Sequence, residues 1–142
     1  MPTRKASAKW EGGMKGGKGT FTGESGAISG QYNFGSRFEN GTGSNPEELL
    51  AAAEAACFSM ALSGSLERNG TPPTSVETSA ACTVEKSGDG FSITRMKLDV
   101  SATVPNIEDA KFQEIANSTL TGCPVSRAFK GNMEIQMEAR LV

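Results

Sequence analysis

Three cysteines are the residues of this chain whose chemistry is most informative. Cys57, Cys82 and Cys123 lie far apart in the sequence and form no Cys-x-x-Cys pair, so a zinc site is not expected. Histidine is absent, which excludes a nucleophile activated by an imidazole and removes the commonest general base. Any cysteine that reacts as a thiolate must therefore be activated by an arginine, a lysine or a helix terminus.

Cys57 lies in a long apolar segment that predicts a helix. Asn45 is expected to cap this helix, Pro46 to occupy its first position, and Glu48 to close a capping-box-like pair. The helix is expected to end near Arg68, before Asn69-Gly70 and two prolines.

The composition of this helix predicts burial on several sides. From Leu49 to Leu62 its only charged residue is Glu54, and a helix that is apolar almost all round must be covered on more than one face. One small sheet covers one face, so a second subunit is a reasonable source of the remaining cover.

Two charged residues suggest a chemical role for Cys57, although a cysteine on an alanine-rich helix is most often a packing residue. Glu47 lies in the first turn of the same helix, where a carboxylate also complements the helix dipole. In the functional interpretation, Glu47 orients Arg37, whose guanidinium stabilises the Cys57 thiolate. An apolar pocket raises the pKa of a thiol, so Cys57 is expected to be inert without such a cation.

The other two cysteines differ in their predicted surroundings. Cys123 precedes Pro124 at the start of a short predicted helix, where unpaired amides and the helix dipole lower the pKa of a thiol. A plain N-cap explains this position equally well, and the sequence leaves open which of Cys57 and Cys123 is the nucleophile. Cys82 alternates with polar residues on the apolar face of a predicted strand, so we interpret it as a packing residue.

The remaining elements predict one α+β domain that spans residues 1–142. Short strands joined by glycine turns, and no helix, are expected before the long helix. Two strands with a bulge near Thr94-Arg95 are expected after it, then a helix capped by Asn106, the short helix, and a closing strand from Met133 to Leu141. The order β-β-β-α-β-β-α-α-β is typical of an antiparallel sheet wrapped around a central helix.

Composition and charge limit the class of protein. The formal net charge of the 142-residue chain is −2, which argues against a general nucleic-acid binder. A membrane span is not expected, because no stretch of ~18 apolar residues is recognised. The first residues lack the apolar region of a signal peptide, so we expect a cytoplasmic protein, in which disulfides are usually catalytic or redox-sensing.

Two segments resemble the motifs of the osmotically inducible protein C and organic hydroperoxide resistance family. The stretch from Thr42 to Leu62 is similar to the central-helix motif of the family, and Gly122-Cys123-Pro124-Val125-Ser126 is similar to its second motif. Three further segments resemble the osmotically inducible branch more closely: Trp10-Glu11-Gly12, Gly16-Gly17-Lys18-Gly19-Thr20 and Ser36-Arg37-Phe38-Glu39. The resemblance covers essentially the whole chain.

This resemblance implies an intertwined homodimer with two active sites at the subunit interface, and a peroxidase that reduces organic hydroperoxides. It implies that Cys57 is the peroxidatic cysteine, that Cys123 is the resolving cysteine, and that Glu47 holds an arginine. We assign the arginine to Arg37, because the first hairpin, from Met14 to Lys18, contains none. An external dithiol, such as a lipoyl group, is the implied reductant, and no metal or other cofactor is implied.

Two other functions stay open from the sequence. One is a non-catalytic protein of the same fold that binds an apolar ligand at the dimer interface, and it requires neither cysteine to react. The other is a disulfide oxidoreductase that acts on proteins, which the missing Cys-x-x-Cys pair disfavours.

Overall fold

Helices and strands alternate along the computed structural model in an α+β order, as predicted, and the structure describes residues 1–142. The elements are β1 (Ala6–Glu11), β2 (Lys18–Gly23), β3 (Ser29–Tyr32), α1 (Phe34–Phe38), α2 (Pro46–Arg68), β4 (Ser75–Ser87), β5 (Gly90–Thr103), α3 (Asp109–Gly122), α4 (Pro124–Phe129) and β6 (Glu134–Leu141). They form two compact units, Met1–Leu49 and Leu50–Val142.

The N-terminal unit contains an antiparallel sheet in the order β1-β2-β3. Gly19 of β2 is required there for close packing, because a Cβ atom at this position would lie 2.6 Å from the ring of Tyr32 and 2.7 Å from the ring of Trp10. The rings of Trp10 and Tyr32 are themselves in contact, with centroids 5.4 Å apart.

A short helix, α1, follows this sheet, so the prediction that no helix precedes α2 is wrong. The Ser36 N–H donates to Asn33 Oδ1 at 2.8 Å and the Asn33 N–H donates to Ser36 Oγ at 2.9 Å, which is a capping box. The helix has five residues, too few for an apolar repeat to be visible in the sequence. Its importance is that it carries Arg37 in its last turn.

The predicted boundaries of α2 are confirmed, since the helix runs over 23 residues from Pro46 to Arg68. Asn45 is the predicted cap, and its Oδ1 accepts a hydrogen bond from the Glu48 N–H at 2.7 Å. The side chain of Glu48 does not complete the expected pair with Asn45, because its Oε2 accepts from Ser44 Oγ at 2.6 Å. After the helix, Gly70 adopts a φ of 86°, a conformation that glycine reaches without strain.

The C-terminal unit contains a mixed sheet in the order β4-β5-β6, so the expectation of a single antiparallel sheet is wrong. β4 and β5 are antiparallel, whereas β6 is parallel to β5. Parallel neighbours need a crossover connection, and α3 and α4 supply it between β5 and β6. The predicted bulge is confirmed: Thr83 pairs with Arg95 and Val84 pairs with Ile93, which leaves Thr94 as the extra residue.

The helix α3 begins later than the sequence suggested. Its N-cap position is Glu108, and Asn106, the predicted cap, lies in the preceding turn with a φ of 65°. Asparagine tolerates this left-handed conformation better than most residues, which explains why it occurs there. The next helix begins where predicted, with Cys123 at the N-cap position of α4 and Pro124 in its first turn.

One apolar cluster holds the helices of the C-terminal unit against its sheet. The cluster joins one face of α2 to β5 and to α3, and its fully buried members include Phe58, Leu62, Leu66, Met96, Leu98, Val100, Phe112 and Ala116. Cys123 belongs to the same cluster and is 1% exposed. The core therefore fixes the backbone on both sides of the two cysteines that the sequence singled out.

Candidate active site

Cys57 and Cys123 lie in contact. Their Sγ atoms are 3.1 Å apart, within hydrogen-bonding distance for sulfur. Cys57 is half-buried in the middle of α2, and Cys123 is buried at the junction between α3 and α4. A disulfide has an S–S distance of about 2.05 Å, so a sulfur movement of roughly 1 Å would join the two.

The surroundings of Cys57 oppose its ionisation. Burial raises the pKa of the Cys57 thiol above its ordinary value, and the hydrogen bond with the adjoining thiol of Cys123 raises it further, as does Glu54 when its carboxyl group is ionised. The sequence-based expectation that an apolar site raises the pKa of Cys57 therefore agrees with the structure.

One backbone amide acts in the opposite direction. The N–H of Val125 hydrogen-bonds to Cys57 and lowers the pKa of its thiol. Val125 lies in the first turn of α4, where amides lack partners within the helix. The sequence suggested that the amides at the start of α4 would lower the pKa of Cys123. In the structure the Val125 amide bonds to Cys57 instead, and the side chain of Cys123 makes no capping bond.

A cavity opens beside the two sulfurs. Its volume is about 630 Å³ and its walls come from α2, α3 and the start of α4: Cys57, Met60, Ala61, Gly64, Ser65, Arg68, Ser118, Thr119, Gly122, Cys123 and Pro124. At one place on its wall, the Arg68 guanidinium donates to Ser65 Oγ at 3.0 Å. A small organic molecule can therefore approach both thiols from one side.

Arg37 and Glu47 also lie in contact, within the N-terminal unit. Arg37 Nη2 donates to Glu47 Oε1 at 2.8 Å, and Arg37 Nε lies 3.1 Å from Oε1 and 3.2 Å from Oε2. Glu47 is buried, and the ring of Phe38 lies 5.0 Å from the guanidinium carbon. These contacts hold Arg37 in one orientation.

An aromatic cavity of about 410 Å³ adjoins this ion pair. Most of its wall is apolar, and Arg37 contributes the one charged side chain to the lining residues Trp10, Gly12, Met14, Tyr32, Asn33, Phe34, Arg37 and Phe38. This arrangement can hold an apolar group whose polar end lies beside the guanidinium.

The sequence did not assign a role to a second buried pair, Glu54 and Ser126. Glu54 is fully buried, its Oε1 accepts a hydrogen bond from Ser126 Oγ, and its Oε2 is buried without a partner. Burial raises the pKa of Glu54, and the hydrogen bond from Ser126 only partly opposes this effect. The sequence feature that could have indicated this pair is Glu54 itself, because it is the only charged residue between Leu49 and Leu62 and lies one turn before Cys57.

The third cysteine lies apart from this chemistry, in β4. Cys82 pairs with Met96 across the sheet, is half-buried, and packs against the core, in agreement with its interpretation as a packing residue. The side chains include no group of three or more Cys, Asp or Glu residues arranged to hold a metal ion.

Comparison with known proteins assigns the chain to a family. Residues 39–138 match the family model described as OsmC-like protein. The chain is 44% identical over 138 residues to peroxiredoxin OsmC of Escherichia coli, with 96% of both chains covered. It is 32% identical over 103 residues to the organic hydroperoxide resistance protein OhrB of Bacillus subtilis, covering 72% of this chain and 74% of that protein.

The fold agrees with this assignment. The crystal structure of OhrB from Bacillus subtilis superposes with a TM-score of 0.75 at 28% sequence identity, and the match covers 96% of this chain and 98% of that one. The sequence match and the shared fold lead to one conclusion: the chain belongs to the OsmC-like protein family.

Proposed function

We propose that this protein is a cysteine-based peroxidase that reduces organic hydroperoxides to alcohols. The observation that carries the proposal is the 3.1 Å separation of the Cys57 and Cys123 sulfur atoms beside an open cavity. The names of its relatives, a peroxiredoxin and an organic hydroperoxide resistance protein, support the same activity. We further propose that residues 1–142 act as one peroxidase domain.

The reaction begins at Cys57. Its thiolate attacks the distal oxygen of the hydroperoxide, the S–O bond forms as the O–O bond breaks, and the leaving alkoxide takes a proton to become an alcohol. Cys57 is then a sulfenic acid. Cys123 attacks this sulfur, the S–S bond forms, and the hydroxyl leaves with a proton as water.

An external dithiol completes the cycle by thiol–disulfide exchange. Its first thiolate attacks the disulfide and its second releases the protein, so that Cys57 and Cys123 return to thiols and the reductant leaves oxidised. Lipoyl groups are one such reductant. The cavity beside the sulfurs offers the space for a small dithiol to reach the disulfide.

Arg37 is the residue to which we assign activation of Cys57. Since burial raises the pKa of the Cys57 thiol, a positive charge beside the sulfur would favour the thiolate near neutral pH, and an arginine keeps its charge at every relevant pH. Glu47 orients Arg37 through the hydrogen bonds described above. We expect this pair to act at the interface of a homodimer.

The surface of α2 supports a dimer. Met60, near the middle of the helix, is 80% exposed, and most of the apolar part of α2 around it is uncovered within one chain. A continuous apolar surface, unlike a single exposed residue, usually marks a contact surface. By length and composition α2 could also cross a membrane, contrary to the sequence-based expectation, and 22% of its most apolar 18-residue stretch is buried. We propose that a second copy of the chain covers this surface in a cytoplasmic protein that binds neither membrane nor nucleic acid.

The activity is tested by turnover. Purified protein, cumene hydroperoxide and dihydrolipoamide should give cumyl alcohol in proportion to hydroperoxide consumed, and the protein thiols should be oxidised when the dithiol is omitted. A thiol count that stays unchanged after hydroperoxide treatment would contradict the proposal. It would favour the alternative of a non-catalytic protein that binds an apolar ligand, for which the aromatic cavity beside Arg37 is the candidate site.

A further inference from the structure

A buried hydrogen bond joins α2, which contains Cys57, to α4, which begins directly after Cys123. Glu54 precedes Cys57 by three residues on α2, and Ser126 follows Cys123 by three residues on α4. Residues three apart on a helix lie on the same side. The bond from Ser126 Oγ to Glu54 Oε1 therefore lies about one helical turn from the contact between the two sulfurs.

Burial of the Glu54 carboxyl group destabilises the fold. Glu54 is 0% exposed and its Oε2 has no hydrogen-bond partner, and a buried polar atom without a partner destabilises a folded protein. Alanine occupies most neighbouring positions of α2 and would fit the helix without that cost. Because burial raises the pKa of Glu54, the carboxyl group is held towards its neutral form, in which Oε1 accepts from Ser126 without a buried charge.

Cys123 is buried in the core, and backbone hydrogen bonds to Thr119 and from Arg127 tie it to α3 and α4. Its side chain makes no capping bond, and α4 has only six residues, so a side-chain hydrogen bond from α4 to α2 adds a restraint on the distance between the two cysteines. The sulfenic acid of Cys57 has two competing fates, since a second hydroperoxide converts it to sulfinic acid unless Cys123 reacts first. A disulfide also tolerates only a narrow range of Cα and Cβ separations. A restraint between α2 and α4 next to the sulfurs would favour the disulfide.

We infer that Glu54 and Ser126 form a staple that positions Cys123 to react with the Cys57 sulfenic acid. Both are positioning residues, because they hold the helices and do not contact the hydroperoxide. The inference rests on the proposed peroxidase function for its role in catalysis. The staple itself has a second consequence that needs no peroxide: it favours the Cys57–Cys123 disulfide at equilibrium.

The test compares four variants of the full-length protein. Ser126→Ala and Glu54→Ala remove the hydrogen bond, whereas Glu54→Gln keeps an oxygen acceptor for Ser126 in a group that cannot ionise. Ser59→Ala is the matched control, because it removes a different side-chain hydrogen bond of α2. In that bond Ser59 Oγ donates to Oγ1 of Thr78, a residue of β4, at 2.8 Å. The first measurement is the equilibrium of the Cys57–Cys123 pair with glutathione buffers, quantified by acid quenching and mass spectrometry.

The staple predicts that Ser126→Ala and Glu54→Ala lower the equilibrium constant for disulfide formation by about tenfold, the factor that corresponds to ~1.4 kcal/mol. Glu54→Gln and Ser59→Ala should stay close to the wild-type constant. Ser126→Ala removes only one oxygen atom, so the comparison rests on this variant if Glu54→Ala does not fold. A wild-type constant in Ser126→Ala, or an equal loss in all four variants, would overturn the inference.

The second measurement follows the catalytic consequence. After one equivalent of cumene hydroperoxide in the presence of dimedone, Ser126→Ala should consume hydroperoxide as fast as wild type and give a larger fraction of dimedone-trapped Cys57. Unchanged trapping in Ser126→Ala would overturn the role in resolution. If the wild-type thiols do not react with hydroperoxide at all, the proposed function fails, and the glutathione equilibrium still decides whether the staple exists.

Discussion

The sulfur atoms of Cys57 and Cys123 lie 3.1 Å apart although the two residues are 66 positions apart in the chain. The contact arises because Cys57 lies in the middle of α2, which packs on the core. Cys123 lies between the end of α3 and the start of α4 and belongs to the same core. The two environments differ, since Cys57 lines the edge of a cavity and is more exposed than Cys123. This difference in access is consistent with Cys57 as the attacking thiol.

The assignment of the two roles predicts unequal effects of replacing each cysteine. Cys57→Ser should abolish turnover of cumene hydroperoxide, because no other thiol occupies the nucleophilic position. Cys123→Ser should consume one equivalent of hydroperoxide and stop as a Cys57 sulfenic acid that dimedone labels. The roles would be reversed if Cys57→Ser kept turnover and Cys123→Ser failed to react.

The activation of Cys57 by Arg37 predicts a graded series. Arg37→Met keeps the side-chain length and removes the charge, so it should raise the pKa of the Cys57 thiol and slow hydroperoxide reduction by on the order of tenfold or more. Arg37→Lys should restore only part of the rate, because a point charge cannot reproduce the planar contacts with Glu47. Glu47→Gln should slow the reaction less than Arg37→Met, since it only loosens the arginine.

The measurement for this series is the rate of Cys57 alkylation by iodoacetamide as a function of pH. In wild type, the rate should follow one thiol ionisation with no second step near neutral pH, because the chain contains no histidine. An unchanged Cys57 ionisation in Arg37→Met would show that another cation performs this task, and Arg127 of α4 would be the next residue to replace.

The buried carboxyl of Glu54 predicts a pH-dependent stability. Burial raises its pKa in the folded state above the ordinary glutamate value of about 4.5, so its proton stabilises the fold at pH below that value, and this contribution is lost as the pH rises through the folded pKa. The glutamine side chain of Glu54→Gln cannot ionise, so the stability of this variant should not fall as the pH rises. Urea unfolding from pH 4 to 8 should therefore show wild type losing stability relative to Glu54→Gln; a constant difference would contradict a raised pKa.

The packing role of Cys82 predicts a change in stability without a change in rate. Cys82→Ala removes one partly buried sulfur from β4 and should cost roughly 1 kcal/mol of unfolding free energy. The rate of hydroperoxide reduction should stay near the wild-type value. A disulfide mapped to Cys82 in the oxidised protein would contradict this interpretation.

Elements with strong local signals were predictable from the sequence. Asn45 and Pro46 mark the start of α2 because capping and a fixed φ are local effects, and Gly70 marks its end for the same reason. The bulge at Thr94 was visible because it shifts the alternation of apolar residues along β5. The two cysteine segments were also recognisable, since their flanking residues form extended motifs.

Features that depend on tertiary partners were not predictable in the same way. Alternation identifies β6 as a strand but does not reveal that its neighbour β5 runs parallel to it. The helix α1 is held by a side-chain capping box over five residues, too short for a periodic pattern. The contact between Glu54 and Ser126 joins residues 72 positions apart, and only the packing of α4 on α2 brings them together.

The central claim is that hydroperoxide links Cys57 to Cys123. Its most direct test is the intact mass of the purified, reduced protein after one equivalent of cumene hydroperoxide, followed by peptide mapping without reduction. The account predicts the loss of two hydrogen atoms per chain and one linked peptide pair that contains Cys57 and Cys123. An unchanged mass, or a linkage that leaves Cys57 or Cys123 as a thiol, would contradict it.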